Sequence, residues 1–498
     1  MAFDSVLIAN RGEIAVRIVR ACREEGLRSI AVYSDADRTA PHVLAADHAV
    51  RLGPAEASAS YLAMDRLLEA AEAGGAGAIH PGYGFLAENA EFARRVADAG
   101  LVFVGPTAAA IEAMGDKTRA RERMIAAGVP VVPGSETVET ADEALEAAER
   151  VGYPIMIKAA AGGGGKGMRL ARDPDELRAG HERAVREAGQ AFGDGRVYLE
   201  RFLERPRHIE IQVLADADRA IHLGERECSV QRRHQKLIEE APSVAIDPGT
   251  RGRMGDVACR AARAVDYRGV GTVEFLFEDG DFYFLEMNTR IQVEHPVTEL
   301  VTGVDLVREQ LRIAAGERAL GGADPPDPRG HAIECRISAE DPAGGFLPST
   351  GRITALHVPA GPGIRWDGGI RVGSEVGLHY DPLLGKLIVH AEDRPAAIAR
   401  MREALGGLRV EGVATTAPFH RTAMGEPDFR AGDLSIRYVD EHPDLVPTVS
   451  PEDRDIAIAA AVFFETESAG PAPRRKAAAV DGGTGNGLSA WVRAVRER

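Results

Sequence analysis

The chain has 498 residues, more than a single hydrophobic core accommodates, so its length implies two to four packed domains. With 45% hydrophobic and 27% charged residues it has the composition of an ordinary globular protein. The formal net charge of −16 argues against a nucleic acid or an anionic membrane as the main partner, because phosphate-rich surfaces require a basic face.

Cysteine usage and the N-terminus bear on the cellular compartment. The start, MAFDSVLIANRGE, lacks the basic region of a signal peptide, and no apolar run approaches the length of a membrane span. These features favour a cytoplasmic protein. The cysteines form no C-x-x-C pair and indicate reduced thiols rather than disulfides or a zinc site; they are Cys22, Cys228, Cys259 and Cys335.

The N-terminal part alternates short apolar runs with amphipathic stretches, which is typical of an α/β domain with a parallel, doubly wound sheet. The first turn reads Asn10-Arg11-Gly12-Glu13 and lacks G-x-G-x-x-G, so the fold is Rossmann-like but a nicotinamide site is weakly supported. The predicted strands are Ser5–Ala9, Ser29–Tyr33, Ala76–His80 and Leu101–Gly105, and the predicted helices are Glu13–Glu25, Tyr61–Ala73 and Glu88–Ala99.

From about Met114 the pattern changes to helices followed by mixed strands and glycine-rich turns. Two alternating segments predict a β-hairpin whose loop is Glu278-Asp279-Gly280; they are Thr272–Phe277 and Phe282–Asn288. A proline-rich linker near residue 325 precedes a smaller strand-rich domain with strands at His331–Ile337, Gly351–His357 and Lys386–His390. The tail holds one helical segment, Glu452–Glu465, and then becomes linker-like.

Only six of the 60 Lys and Arg residues are lysines, so arginine is the usual cation of this chain. A lysine therefore suggests a site that requires a compact ammonium group instead of a planar guanidinium. Two of them, Lys158 and Lys166, flank the glycine run Gly162–Gly165 between two predicted strands. Backbone N–H groups of such a run can bind the phosphates of a nucleotide. It is not a Walker P-loop, because no helix opens with G-K-[ST]. A flexible surface loop is the alternative.

The polar residues of the predicted hairpin indicate a metal site. Glu286 and Asn288 share a face because alternate residues of a strand point the same way, and an odd-numbered loop puts Glu274 on that face as well. A two-residue turn would put Glu274 on the opposite face. Carboxylates converging with an amide oxygen suit Mg²⁺ or Mn²⁺, whereas the alternative is a solvated sheet face.

The segment after the hairpin contains Arg290 and Glu294, which could clamp a small oxyanion and act as a general base. An earlier segment, 227–236, adds cations and hydrogen-bond donors, and an exposed basic loop explains it equally well. His208 and His234, taken singly, are typical structural histidines.

A series of segments is more specific than any single motif: IANRGEIAVRI, HPGYGFLAEN, MGDK, GGGGKGM, PRHIEIQV, CSVQRRHQK, VEFLF, FLEMNTRIQVEHPVTE, ECRISAED and YDPLLGKL. In this order, over nearly all of residues 1–445, they resemble the biotin carboxylase family of ATP-grasp enzymes. The resemblance implies a Rossmann-like N-terminal domain (1–115), an ATP-grasp core (116–328) with a mobile lid at about 131–203, a strand-rich C-terminal domain (329–445) and a tail (446–498).

The resemblance also implies residue roles. The residues expected to bind ATP are Lys117, Lys158, Gly164, Gly165, Lys166, His208, Gln231, His234, Glu274 and Glu286, with Glu200, Arg201, Phe202 and Leu203 as the adenine hinge. Two Mg²⁺ or Mn²⁺ ions would be held by Glu274, Glu286 and Asn288. Bicarbonate would be bound by Lys236, Arg290, Gln292 and Val293, with Glu294 as its base, and Arg336 would stabilise the enolate of biotin.

In the implied reaction, bicarbonate attacks the γ-phosphate of ATP, and the resulting carboxyphosphate releases CO₂ for biotin while the lid excludes water. No Met-Lys-Met carrier motif and no carboxyltransferase half occur, so the expected partners are a biotin carboxyl carrier protein and a carboxyltransferase subunit. The resemblance also suggests a homodimer. The competing hypotheses are an ATP-grasp ligase that joins a carboxylate to an amine, an inactive nucleotide-binding scaffold and, more distantly, a nicotinamide dehydrogenase.

Overall fold

The computed structural model describes residues 2–159, 169–192, 195–446, 456 and 458–460. The chain divides into two units, Met1–Pro447 and Thr448–Arg498. In the second unit the described residues, Ile456 and 458–460, are helical, as the sequence predicts for Glu452–Glu465. None of the helices among the described residues is long and apolar enough to cross a membrane.

The N-terminal elements form a five-stranded, fully parallel sheet in the order β3-β2-β1-β4-β5, which confirms the predicted α/β fold. The edge strand β3 and the short helix α2 were not predicted, because the half-exposed HAVRLG segment has no clear alternation. The strands are β1 Ser5–Ile8, β2 Arg28–Ser34, β3 His48–Gly53, β4 Ala78–His80 and β5 Val102–Phe103; the helices are α1 Gly12–Glu24, α2 Pro41–Ala45, α3 Met64–Gly74, α4 Ala90–Asp98, α5 Ala108–Gly115 and α6 Lys117–Ala126.

A separate four-stranded antiparallel sheet, in the order β6-β9-β7-β8, lies within the segment predicted to be a lid. Two helices pack on this sheet, and the capping box of Thr140 and Glu143 begins the first of them. The elements are β6 Gly134–Val138, α7 Ala141–Val151, β7 Ile155–Ala159, β8 Arg169–Ala171, α8 Pro174–Phe192 and β9 Val197–Arg201.

An eight-stranded antiparallel sheet is the centre of the fold, in the order β14-β13-β10-β11-β12-β15-β22-β20. Its first five strands precede the proline-rich linker and its last three follow it, because β12 pairs directly with β15. The elements up to the linker are β10 Arg207–Ala215, β11 Ala220–Arg232, β12 Gln235–Ala241, α9 Pro248–Arg263, β13 Gly269–Glu278, β14 Asp281–Asn288, α10 His295–Thr302 and α11 Leu306–Ala314.

Three of the strands after the linker, β15, β22 and β20, therefore extend the central sheet, and the others form small two-stranded sheets. The predicted strand Gly351–His357 is divided between two small sheets, since Gly351 pairs with Val376 and His357 with Arg409. The elements are β15 His331–Ser338, β16 Glu340–Asp341, β17 Leu347–Pro348, β18 Gly351–Arg352, β19 Ala355–His357, β20 Ile364–Gly368, β21 Glu375–Val376, β22 Leu383–Ala391, α12 Arg394–Gly407, β23 Arg409–Glu411, α13 Ala417–Ala423, α14 Pro427–Ala431 and α15 Tyr438–Glu441.

Strand alternation gives the central sheet one apolar and one polar face. In β10, Ile209 and Ile211 belong to the hydrophobic core that packs on α9, whereas Glu210 and Gln212 point to the other side. Both polar residues are fully buried. A buried polar face needs internal partners, since unpaired charges in an apolar interior are costly.

The hairpin of β13 and β14 differs from the expected three-residue loop. Glu278 pairs with Asp281, so the turn is the two-residue Asp279-Gly280 with both φ angles positive. Regular pairing from such a turn would set Glu274 opposite Leu285. A bulge at Leu285 shifts the register, so that Glu274 pairs with Glu286. The expected shared face is therefore present, although the loop length predicted for it is wrong.

The turn provides a stability test. Gly280 has φ of +87° and open space where a Cβ would lie, so a side chain there meets backbone strain alone. We expect Gly280→Val to lower the free energy of unfolding by about 1–2 kcal/mol, measured by urea denaturation. Gly280→Asn, which tolerates this backbone region, should cost clearly less. Equal losses for the two variants would contradict the turn geometry.

Candidate active site

A row of three carboxylates crosses adjacent strands on the polar face of the central sheet. Glu286 pairs with Glu274 across β14 and β13, and Glu274 pairs with Glu210 across β13 and β10. Asn288 donates from Nδ2 to Glu274 Oε1 at 2.8 Å. The next residue in the row is Arg226 of β11, which pairs with Glu210. The row thus ends in a cation that balances part of its negative charge.

The ammonium of Lys236 lies among three carboxylates. Its Nζ is 2.6 Å from Glu210 Oε2, 2.9 Å from Glu274 Oε1 and 2.6 Å from Glu294 Oε1. Burial alone would lower the pKa of Lys236, but these carboxylates hold it well above its usual value. Lys236 is therefore a fixed positive charge at the centre of the site.

Glu294 bridges Lys236 and Arg336. One oxygen accepts from Lys236, and the other accepts from Arg336 Nη2 at 2.9 Å. Burial would raise the pKa of Glu294, yet Lys236 and Arg336 hold it well below its usual range. Glu294 is consequently ionised, as a base must be before it accepts a proton.

The loop between β14 and α10 carries the remaining predicted oxyanion ligands. Arg290 donates from Nη2 to Asn288 Oδ1 at 2.7 Å and from Nε to Glu88 Oε2 at 2.8 Å. The Gln292 side chain donates to Glu274 Oε1 at 2.7 Å. This loop therefore brings Arg290 and Gln292 to the predicted metal ligands Glu274 and Asn288.

Sequence reasoning missed four charged residues that hold this cluster: Glu88, Glu210, Arg226 and Glu239. Arg226 is fully buried and donates to five side chains, namely Glu210, Gln212, Thr272, Gln292 and Thr298. Glu239 accepts from Arg336 Nε at 2.6 Å. Charged residues that alternate with apolar ones in otherwise buried strands, as in HIEIQV, were the available signal.

The predicted nucleotide ligands are more dispersed. His208 Nε2 lies 3.0 Å from Glu274 Oε2, and Gln231 pairs with Lys236 across β11 and β12, so both adjoin the cluster. His234 lies on the exposed turn between these strands. In the predicted lid, Lys158 pairs with Glu200.

The hinge residues follow Glu200 at the end of β9. Arg201 donates from its backbone N–H to the Pro133 carbonyl and Phe202 to that of Pro154, both at 2.8 Å, while Leu203 is buried. Gly164, Gly165 and Lys166 lie outside the described residues. Lys117 begins α6, and its side chain is likewise outside what the structure describes.

The donor set fits a hard divalent cation. Glu274 and Glu286 are cross-strand partners, Asn288 bonds to Glu274, and all three offer oxygen atoms, which Mg²⁺ and Mn²⁺ prefer. His208, Glu210 and Glu274 also offer ligand atoms within 4.8 Å of one another. The four cysteines are free thiols, as the sequence predicts, and all four are buried. None is needed for a metal of this type.

Comparisons with known proteins define the class of enzyme. Family models match residues 2–111 (biotin carboxylase, N-terminal domain), 116–320 (carbamoyl-phosphate synthase L chain, ATP binding domain) and 334–441 (biotin carboxylase C-terminal domain). The chain is 55% identical to a biotin carboxylase of Nostoc sp. over 89% of this chain and 99% of the relative. It is 52% identical to a biotin carboxylase of Pseudomonas aeruginosa over 88% of this chain and 98% of the relative.

Structural similarity agrees with the sequence relatives. The biotin carboxylase domain dimer of Hydrogenobacter thermophilus 2-oxoglutarate carboxylase, in complex with MgADP, ADP and bicarbonate, has a TM-score of 0.80 and 48% identity. The match covers 90% of this chain and 99% of that chain. The fold is that of an ATP-grasp ligase.

Within that class, the chain belongs to the biotin carboxylase family, and its activity is the ATP-dependent carboxylation of biotin. The alternatives of an amine-joining ligase, an inactive scaffold and a dehydrogenase are therefore wrong.

The charge cluster predicts a pH dependence. Because the folded-state pKa values of Glu274 and Glu294 lie below their usual range, their ion pairs stabilise the fold above about pH 4.3 and are lost as the pH falls below it. Lys236→Met leaves three buried carboxylates without their ammonium and should cost about 3–5 kcal/mol at neutral pH.

The readout is the midpoint of thermal unfolding between about pH 3 and pH 8, a range that extends below the pH at which the ion pairs begin to be lost. The midpoint of wild type should fall at the acid end, whereas that of Lys236→Met should rise as the pH is lowered from 8 to 5, because protonation relieves the repulsion. Lys236→Arg, which keeps the charge, is the control. Parallel pH profiles for wild type and Lys236→Met would refute the role of the ammonium.

Proposed function

We propose that the cluster centred on Lys236 binds bicarbonate beside the γ-phosphate of ATP, with Glu294 as the base that deprotonates it. The observation that carries this proposal is the bridging position of Glu294. Its two oxygens contact Lys236 and Arg336, the cations proposed here for bicarbonate and for biotin. A base between these two cations lies next to an oxyanion bound at Lys236 and next to a biotin ring bound at Arg336.

The low pKa of Glu294 without substrate does not prevent its action as a base. Bicarbonate is an anion that competes with Glu294 for the Lys236 ammonium. Arg290 and Gln292 lie on the same loop as Glu294 and would also bind the bicarbonate. As the ammonium turns toward bicarbonate, the pKa of Glu294 rises, and so does its ability to take the proton. Bicarbonate oxygen then attacks the γ-phosphorus of ATP, the bond to the β,γ-bridging oxygen breaks, and the products are carboxyphosphate and ADP.

The metal ligands in this proposal are Glu274, Glu286 and Asn288, which would hold two Mg²⁺ or Mn²⁺ ions. Bound divalent cations neutralise the charge that develops on the transferred phosphoryl group. The proposed nucleotide contacts are Lys117, Lys158, Gly164, Gly165, Lys166, the hinge 200–203, His208, Gln231 and His234. Closure of the segment 131–203 would protect carboxyphosphate from water.

Arg336 is proposed to stabilise the enolate of biotin. Glu239 occupies its Nε and Glu294 its Nη2, and Nη1 makes no hydrogen bond with the residues that the structure describes. A guanidinium held by two carboxylates is rigid, so it can present the remaining nitrogen to the ureido oxygen. The proton of biotin N1 would pass to the phosphate released with CO₂.

The biotin is proposed to come from a separate carrier protein, and the carboxyltransferase from a further polypeptide. The proposed form of the protein is a cytoplasmic homodimer, supported by the dimer of the Hydrogenobacter thermophilus relative. The proposed domains are residues 1–115, 116–328 and 329–445, and the family models matched to 2–111, 116–320 and 334–441 support this division.

The base assignment is tested by Glu294→Gln. We expect bicarbonate-dependent phosphate release to fall by at least about 100-fold, while the affinity for a non-hydrolysable ATP analogue changes by less than about threefold. Glu25→Gln is the matched control, because Glu25 is also a carboxylate paired with two cations, Arg308 and Arg312, outside the cluster. Full bicarbonate-dependent turnover by Glu294→Gln would rule out this base.

The metal assignment is tested by Glu286→Gln. Replacing a carboxylate by an amide weakens an oxygen site for Mg²⁺, so the Mg²⁺ concentration for half-maximal phosphate release should rise by about tenfold or more. Glu278→Gln, at the turn end of the same hairpin, is the control. An unchanged Mg²⁺ requirement of Glu286→Gln would remove Glu286 from the metal site.

A further inference from the structure

Lys386 is a buried lysine that the proposed reaction does not use. It lies on β22, its side chain has no exposed area, and it is among the six lysines of the chain. Its Nζ donates to the backbone carbonyl of Val293 at 2.6 Å and lies 3.2 Å from Glu13 Oε1. A single ammonium thus joins the C-terminal part of the central sheet, the first turn of α1 and the loop that ends in Glu294.

The ammonium remains charged in this position. Burial would lower the pKa of Lys386, but Glu13, Glu334 and Asp367 outweigh burial and hold it above its usual value, against the opposing charge of Arg365. The Glu13 carboxylate is fixed in turn, because the Tyr83 hydroxyl donates to the same oxygen. Packing alone would be met by an apolar side chain, whereas a buried charge is costly unless it is paired.

The Val293 carbonyl depends on this lysine. Gln292 has other attachments, since its carbonyl accepts from the His295 ring at 2.8 Å and its side chain accepts from Arg226 at 2.6 Å. For the Val293 carbonyl, Lys386 is the one hydrogen-bond donor among the residues that the structure describes. Without this hydrogen bond, the peptide group between Val293 and Glu294 would be free to rotate.

We propose that Lys386 is a positioning residue that holds the Val293–Glu294 peptide, and with it the base, in the geometry that bicarbonate requires. This inference rests on the proposed function of Glu294 and adds a residue to it. It also gives a purpose to three sequence motifs that the reaction left unexplained, because RGE contains Glu13, PGYG contains Tyr83 and LLGKL contains Lys386. Tyr83, Glu13 and Lys386 form one chain of contacts that ends at the loop.

The consequence should be selective for bicarbonate. Lys386 contacts the loop at Val293 and touches none of the proposed nucleotide ligands. Its loss should therefore displace Val293 and Glu294 without altering the strands that carry Glu274 and Glu286. Displacement of a catalytic group by about 1 Å can reduce a rate by about 100-fold. A residue that merely stabilised the fold would change the affinities for ATP and bicarbonate alike.

The test is Lys386→Met in the full-length protein, which keeps an unbranched side chain of similar volume but removes the ammonium. We expect kcat/KM for bicarbonate to fall by about 10- to 100-fold, with a raised KM for bicarbonate. The affinity for a non-hydrolysable ATP analogue should stay within about twofold of wild type. An unchanged KM and kcat for bicarbonate, or an equal loss of nucleotide affinity, would overturn the proposal.

Arg394→Met is the matched control. Arg394 is another buried cation after the linker, bound to Glu240 and to the carbonyls of Phe429 and Arg430, and it does not touch the loop. It should leave the KM for bicarbonate within about twofold of wild type, whatever its effect on thermal stability. A shift in bicarbonate KM equal to that of Lys386→Met would reduce the effect to general destabilisation and overturn the proposal.

A second variant keeps the proposal testable if Lys386→Met does not fold. Lys386→Arg retains the charge that Glu13 faces, but its larger guanidinium has no spare volume in a fully buried position and must displace the Val293 carbonyl. A raised KM for bicarbonate is again expected, and an unchanged one contradicts the proposal. Wild type that lacks bicarbonate-dependent phosphate release would instead refute the proposed function itself.

Discussion

A buried ammonium surrounded by carboxylates is the interaction on which the rest of the site depends. Lys236 contacts Glu210, Glu274 and Glu294 at 2.6–2.9 Å, and without it these buried acids would repel one another. The same charges that stabilise the cluster also allow it to bind an anion, because an incoming anion can replace a carboxylate at the Lys236 ammonium. Stability and the proposed binding of bicarbonate thus use one set of groups.

The central sheet makes this arrangement possible. Its eight strands carry the proposed metal ligands at one end, on β13 and β14, and Arg336 and Lys386 toward the other, on β15 and β22. Direct pairing of β12 with β15 makes the sheet continuous across the linker. Groups proposed for phosphoryl transfer and for biotin therefore share one rigid surface, which positions catalytic groups more accurately than separate loops would.

Much of this could be predicted from the sequence, because motif residues and strand alternation are local signals. The parallel N-terminal sheet, the hairpin and the convergence of Glu274, Glu286 and Asn288 are examples. The bulge at Leu285 could not be predicted, since a register shift depends on packing of the whole sheet. Arg226 and Glu239 were missed for a related reason: their partners lie on other strands, distant in sequence, and only the fold makes them neighbours.

The central claim is that this cluster couples ATP cleavage to bicarbonate, and the most direct measurement is phosphate release from Mg-ATP by the purified protein. The assay is run with and without bicarbonate, and with and without free biotin. The account predicts that release requires bicarbonate and increases when biotin is added. Release at the same rate in bicarbonate-free buffer, unaffected by biotin, would contradict it.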